Sequence, residues 1–132
     1  TQAPLSVAML DLDHFKLVND HHGHAVGDQV LVALATLLRA HTRATDLAAR
    51  LGGEEFLLVL RDTDVRAAAE VCERLRSCVQ GHDWASVAPG LAVTVSIGLT
   101  SAPPYEAQTL SLRADAALYR AKAAGRNCLV QS

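Results

Sequence analysis

No run of this chain is apolar over the roughly 20 residues that a bilayer-spanning helix needs, so it carries no candidate membrane helix. The opening residues, TQAPLS, have neither a charged nor an apolar signal region, and any membrane attachment is expected from sequence outside the chain. Cysteine is scarce: Cys72, Cys78 and Cys128 are odd in number and lack metal-ligand spacing, which argues against a disulfide framework and fits a reduced, cytoplasmic setting. Excess charge of one sign is missing too. Twelve Lys and Arg stand against fourteen Asp and Glu with no basic tract, so a polymeric nucleic-acid partner is not expected. A GxxxxGK phosphate loop, a GxGxxG turn and a GxSxG elbow are all absent, which removes three common enzyme classes.

What is present suits one domain: 132 residues, half of them apolar, suffice for a substantial core. LSVAMLDL, Leu5 to Leu12, reads as a central strand ending in acid. From Asp28 a helical pattern begins, with Val30, Leu31, Leu34, Ala35, Leu37 and Leu38 on one face, and it ends near Arg39 to Thr42. Leu47 to Leu51 and Phe56 to Leu60, joined through Gly52-Gly53, form a hairpin. Asp62 to Asp64 supply a helix N-cap, followed by a stripe of Val65, Ala68, Cys72, Leu75 and Val79. Between Gly81 and Gly90 a flexible connection is expected, with Trp84 pinning a minor hairpin. LAVTVSIGLT, Leu91 to Thr100, alternates strictly and reads as a strand half covered by helices. After Pro103-Pro104, the residues Leu112, Ala116, Tyr119 and Ala123 mark a last helix stopped by Gly125, before a short strand at Cys128 to Val130. This order predicts an α+β fold, a mostly antiparallel central sheet flanked by helices.

The acids need more than a fold to explain them. DLDHFKLVNDHHGH has Lys16 where a calcium loop needs glycine and no twelfth-place acid, and His21, His22 and His24 lack zinc-site spacing. Asp11 and Asp13 flank Leu12 and point the same way in an extended strand, either as two solvated acids or as part of a site. In RLGGEEF, Glu54 and Glu55 point to opposite faces. If the hairpin lies beside the first strand, Glu54 and Asp11 converge at one sheet edge, where two carboxylates suit magnesium completed by water and phosphate oxygens. Gly52 and Gly53 would let a phosphate approach the backbone closely.

DLDHFKLVND, GHAVGD, RLGGEEF, TVSIG and ADAALYRAKAAGRN, in that order from Asp11 to Asn127, resemble the GGDEF family of diguanylate cyclases, with GGEEF as an accepted variant of its signature. The resemblance implies a nucleotidyl-cyclase-like, palm-like fold and a homodimer that condenses two GTP into cyclic di-GMP with release of two pyrophosphates. It implies that Asp11 and Glu54, with the Leu12 carbonyl, ligate magnesium, or manganese in its place. Glu55 is the third catalytic acid, for deprotonation of the ribose 3′-hydroxyl or for the metal. Asn19 and Asp28 would read the guanine edge, and Lys122, Arg126, Gly52, Gly53 and the backbone of His14, Phe15 and Lys16 would hold the phosphates. RATD, Arg43 to Asp46, with Arg74, resembles the family's inhibitory product site; the plainer alternative is a helix end with a local ion pair. Family domains begin with a segment of the form DxLTGLxNR, which is not found ahead of the first strand here. The expectation is therefore one domain, residues 1–132, of a larger signalling protein with an upstream sensor domain, cytoplasmic itself even where that sensor is membrane-bound. A catalytically silent cyclic di-GMP receptor and a GTP-binding regulatory module are the alternatives.

Overall fold

The computed structural model describes residues 3–132; Thr1 and Gln2, the start of the stretch read for a signal, lie outside the described residues. The elements run β1 (Leu5–Leu12), α1 (Phe15–His22), α2 (His24–Ala40), β2 (Leu47–Gly52), β3 (Glu55–Arg61), α3 (Val65–Gly81), β4 (Val95–Ser101), α4 (Ala107–Ala123) and β5 (Leu129–Gln131). Five strands form one sheet in the order β2-β3-β1-β4-β5, antiparallel except for the β4–β5 pair. The most apolar strand, β1, is thus central, with β3 on one side and β4 on the other.

Alternation along the strands divides the core in two. Ala8, Leu10 and Leu12 of β1 join Phe56, Leu58 and Leu60 of β3 and Val95, Ile97 and Leu99 of β4 on one face, which α2 and α3 cover with Val30, Leu34, Leu38, Cys72, Leu75 and Val79. Val7 and Met9 point the other way, toward Leu110, Ala114 and Leu118 of α4. Each fully buried Leu or Val contributes about 1.5–3 kcal/mol relative to exposure, so this double layer holds the sheet from both sides. Asp64 caps α3 as its position predicted, its carboxylate accepting from the Ala67 N–H at 2.9 Å.

Several local expectations are corrected. The second helix begins at His24 rather than Asp28, and a separate helix, α1, precedes it after a break at Gly23, φ 89°. Val18 is the only buried residue of α1, so no apolar period announces it. The strand expected from Leu91 begins at Val95, because its partner β1 ends at Leu12 opposite Val95; Leu91 and Val93 are buried without being strand-paired. Trp84 is buried in a 3₁₀ turn (Trp84–Ser86) instead of pinning a hairpin, its Nε1–H donating to the Val79 carbonyl at 2.7 Å. The α4 stripe is on the wrong side: Leu112 and Tyr119 are 62% and 75% exposed, while Leu110, Ala114, Ala117, Leu118 and Ala121 are buried. Val65 of α3 is likewise exposed.

The reason for small residues on the inner side of α4 is Gly98. A Cβ at this position of β4 would lie 2.2 Å from the Leu118 nitrogen and 2.3 Å from the Ala114 oxygen, so helix backbone rests directly on strand backbone. The strand is therefore covered on both faces, not half covered. Gly98→Ala is expected to destabilise the fold by roughly 3 kcal/mol, the upper range for overpacking a rigid contact, read as a lower denaturation midpoint in urea; an unchanged midpoint would mean that α4 can lift away freely.

Candidate functional site

Because β1 lies in the middle of the sheet, its C-terminal end is flanked by the turn of the β2–β3 hairpin and by the start of β4. Asp11 stands opposite Glu55 in the β1–β3 register, and the Leu12 N–H donates to the Glu54 carbonyl at 3.3 Å. Directly opposed residues share a sheet face, so Glu55 lies on the Asp11 face and Glu54 occupies the turn beside it. The hairpin thus falls beside the first strand as expected, and it brings all three acids to one end of the sheet. Gly53 carries a left-handed φ of 51°, which favours glycine in the tight turn, and its carbonyl accepts from Arg50 Nε at 2.8 Å.

Asp11 is buried and Glu54 half-buried, while Glu55 is exposed. Burial pushes the Asp11 carboxyl above its ordinary value; the Lys122 ammonium opposes this through a hydrogen bond and its charge, and the charges of Glu54 and Asp13 raise it further. Lys122 of α4 forms an ion pair with Asp11 Oδ2. The cation assigned to phosphate is thus committed here to the assigned metal ligand. Asp13 is also buried, which removes the solvated-acid alternative for both: Thr94 Oγ1 and Ser96 Oγ donate to its carboxylate at 2.7 and 2.6 Å, and the Asn127 N–H donates at 3.0 Å.

Two further segments face this end. His14, φ 54°, turns the chain into α1, whose first N–H groups have no partner within the helix. Across the α1–α2 pair, a Cβ on Gly27 would meet Asn19 Oδ1 at 1.9 Å, so glycine there makes room for the Asn19 amide one residue before the exposed Asp28. Sequence reasoning quoted GHAVGD without giving Gly27 this role; the glycine directly before Asp28 was the available signal. At the end of α4 the Arg126 N–H caps the helix on the Ala121 carbonyl at 3.0 Å, and Arg126 and Asn127 both have positive φ, 66° and 47°. Arg126 is exposed beyond Lys122 on the same helix end.

Arg43 and Asp46 form more than a local ion pair. Asp46 accepts from the Arg43 N–H, from Arg43 Nε and Nη2, and from the Arg61 N–H, at 2.9 to 3.3 Å. Arg43 Nη2 also donates to the Arg61 carbonyl at 2.5 Å and to Thr63 Oγ1 at 2.9 Å. The motif therefore clamps the α2–β2 connection to the end of β3 remote from Glu55. Burial raises the Asp46 carboxyl, but hydrogen bonds from the Arg43 side chain and backbone, with the Arg43 charge, outweigh it and hold the group below its ordinary value. Among the described residues no hydrogen bond or ion pair joins Arg74 to this clamp; Arg74 lines a separate groove between α3 and β5, with Glu70, Glu73, Leu129 and Gln131.

The family described as "Diguanylate cyclase, GGDEF domain" matches residues 1–128. The chain is 44% identical over 126 residues to Diguanylate cyclase DgcP of Pseudomonas aeruginosa, covering 95% of this chain and 19% of that protein. It is also 44% identical to Response regulator PleD of Caulobacter vibrioides, covering 96% of this chain and 29% of that protein. The chain thus spans a minor part of these curated relatives. Among solved structures, the active GGEEF domain of a diguanylate cyclase from Vibrio cholerae superposes with a TM-score of 0.92 at 34% identity, covering 98% of this chain and 83% of that one. The GGDEF domain of DgcB from Caulobacter crescentus in complex with c-di-GMP gives 0.89 at 35% identity, covering 97% and 77%.

Asp11 and Asp46 affect stability with opposite signs. A carboxyl raised in the folded state holds its proton above the unfolded value, so stability falls as pH rises from 3.8 through the folded pKa, and ionised Asp11 is a net cost at pH 7. Asp46, lowered, contributes stability that is present above 3.8 and lost as pH falls through its folded pKa. In thermal melts at pH 7, Asp11→Asn is expected to leave the midpoint unchanged or raised, and Asp46→Asn to lower it by roughly 3–6 °C. Equal losses from both would show that Asp11 carries no such cost.

Proposed function

The chain belongs to the GGDEF family, and we propose that it is the catalytic domain of a diguanylate cyclase that condenses two GTP into cyclic di-GMP, as one domain of a longer, cytoplasmically acting signalling protein. The observation that carries this reading is the convergence of Asp11, Glu54 and Glu55 at the end of the central strand, with the Gly52–Gly53 turn, the first amides of α1 and Lys122 around them. In each half-reaction a ribose 3′-oxygen forms a bond to the α-phosphorus of the other GTP. The bond from that phosphorus to the bridging oxygen breaks, and pyrophosphate leaves with the electron pair; two such steps close the ring. One site offers one GTP, so a homodimer is the arrangement in which two half-sites face each other.

The residues fit a hard divalent cation. Asp11, Glu54 and the Leu12 carbonyl offer oxygen donors only, and Asp11 is a buried carboxylate whose cation partner, Lys122, stands on a side chain about a third exposed. Among the described residues no group of three His, Cys, Asp or Glu could hold a metal ion by itself, so a magnesium or manganese ion here would need further ligands from phosphate oxygens and water. When bound, such an ion neutralises phosphate charge and favours in-line attack. Lys122, with Arg126 and the His14–Lys16 amides, would hold the phosphates. Asn19 and Asp28 present an amide and a carboxylate to the guanine edge, complementary to its acceptor and donors. Glu55, exposed on the Asp11 face, is placed to accept the 3′-hydroxyl proton. Glu54→Gln keeps size and removes charge, and is expected to cut turnover by at least about a hundredfold with the fold intact; undiminished cyclic di-GMP synthesis by mass would remove this assignment.

Product feedback is the second part of the reading. The Arg43 side chain is 57% exposed although Asp46 holds it from beneath, so Arg43 is presented to solvent in fixed orientation, as is useful for phosphate or guanine. Asp46 then orients Arg43 more than it binds ligand, and Arg74 would contribute from α3. The clamp and the acids lie at opposite ends of β3, about 20 Å apart for seven extended residues, so feedback must pass through the hairpin or through the relative placement of two domains. A silent receptor using the same residues remains the alternative if turnover is absent. Arg43→Ala is expected to weaken cyclic di-GMP binding at least about tenfold in calorimetry and to relieve inhibition while leaving initial GTP turnover within about twofold; unchanged product affinity would reduce the motif to a structural clamp.

A further inference from the structure

We propose that Asp13 is a positioning residue for the triphosphate, its carboxylate stapling the loop that carries Arg126 to the turn that carries the His14–Lys16 amides. The inference rests on the cyclase reading and deepens it. Asp13 is 6% exposed, and its carboxylate accepts from Ser96 Oγ on Oδ1 and from Thr94 Oγ1 and the Asn127 N–H on Oδ2. Its own N–H donates to the Thr94 carbonyl at 3.0 Å. The acid therefore joins three segments: the end of β1, the approach to β4 and the exit from α4.

The exit from α4 needs such a hold. Arg126 and Asn127 adopt consecutive left-handed conformations, a geometry that non-glycine residues keep only when their surroundings enforce it. Asn127 is gripped on both sides, since Arg76 Nη1 of α3 donates to its Oδ1 at 2.8 Å while its N–H is spent on Asp13. Arg76 is itself fixed by a bidentate pair with Glu73. On the other side, Asp13 directly precedes His14, whose positive φ sets the direction of the α1 amides. One carboxylate thus fixes the distance between a guanidinium and a row of N–H donors that must grip the same phosphate chain.

The charge of Asp13 works against its position. A carboxylate near a triphosphate repels it, so electrostatics alone predicts that deleting the charge tightens nucleotide binding, and that Asp13→Ala and Asp13→Asn behave alike. Positioning predicts otherwise. Asn can turn its carbonyl to the Asn127 N–H and its amide to the Ser96 hydroxyl, restoring the staple without the charge, whereas Ala cannot.

The test uses the full chain with magnesium and 3′-deoxy-GTP, which lacks the attacking hydroxyl and so reports binding without turnover. Calorimetric affinity is measured for the unmodified protein, Asp13→Ala and Asp13→Asn, together with hydrogen exchange at the Asn127 amide. Expected are a loss of about tenfold, equivalent to about 1.4 kcal/mol, with fast Asn127 exchange for Ala, and near-normal values of both for Asn. Equal affinities for the two variants, or tighter binding by both, would overturn the proposal. Should Asp13→Ala not fold, Arg76→Lys, which keeps charge but loses the planar fork, is expected to weaken binding two- to threefold with the Asn127 amide less protected; no change in either overturns it. If the unmodified protein binds no 3′-deoxy-GTP, the cyclase reading fails first and the proposal falls with it, a result distinct from normal binding by all variants.

Discussion

The contact on which the site depends is backbone against backbone: α4 lying on β4 at Gly98, with Ala114, Ala117 and Ala121 on its inner side. Any Cβ at Gly98 would collide with the α4 backbone, so the helix can rest on the strand there only because the residue is glycine. That approach places the end of α4 over the end of β1, so Lys122 reaches Asp11 and the following turn reaches Asp13. A packing residue in the middle of a strand thus decides what a cation some distance along the helix can touch.

Two aspartates separated by one leucine have different partners. Asp13 is surrounded by donors and belongs to the framework. Asp11 is buried with one partly exposed cation and two neighbouring negative charges, an environment that raises its pKa. Such a carboxylate gains more than a solvated one from a divalent partner, because the ion supplies the compensation that folding withheld. The cost in stability is carried by the Leu, Val and Ile core on both faces of the sheet, and the Arg43–Asp46 clamp contributes with the opposite sign.

Long apolar patterns were legible in the sequence: β1, the hairpin, α2, α3 and the sheet class all follow from period and turn chemistry. The hairpin also lies beside β1, which puts Asp11 and Glu55 on paired strands and Glu54 in the turn next to them at one end of the sheet. What failed did so for identifiable reasons. Helix α1 buries one residue and has no amphipathic signature. The buried side of α4 is mostly alanine, so the larger Leu112 and Tyr119 drew the stripe to the solvent side, and only knowledge of the Gly98 contact reverses that choice. The role of Asp13 joins residues more than eighty and more than a hundred positions apart, at Thr94, Ser96 and Asn127, a distance no local pattern spans.

The position of β1 as the third of five strands has a consequence for how the domain comes apart. Among the described residues the edges of the sheet belong to β2 and to the three-residue β5, and edge segments are where local opening is expected first. Loss of β5 would leave Asp11 paired with Glu55 and Ser96 on its two sides, and loosening of the outer edge of β2 would leave the β1–β3 ladder closed. Both ladders that hold Asp11 are therefore internal to the sheet, each separated from an edge by one strand.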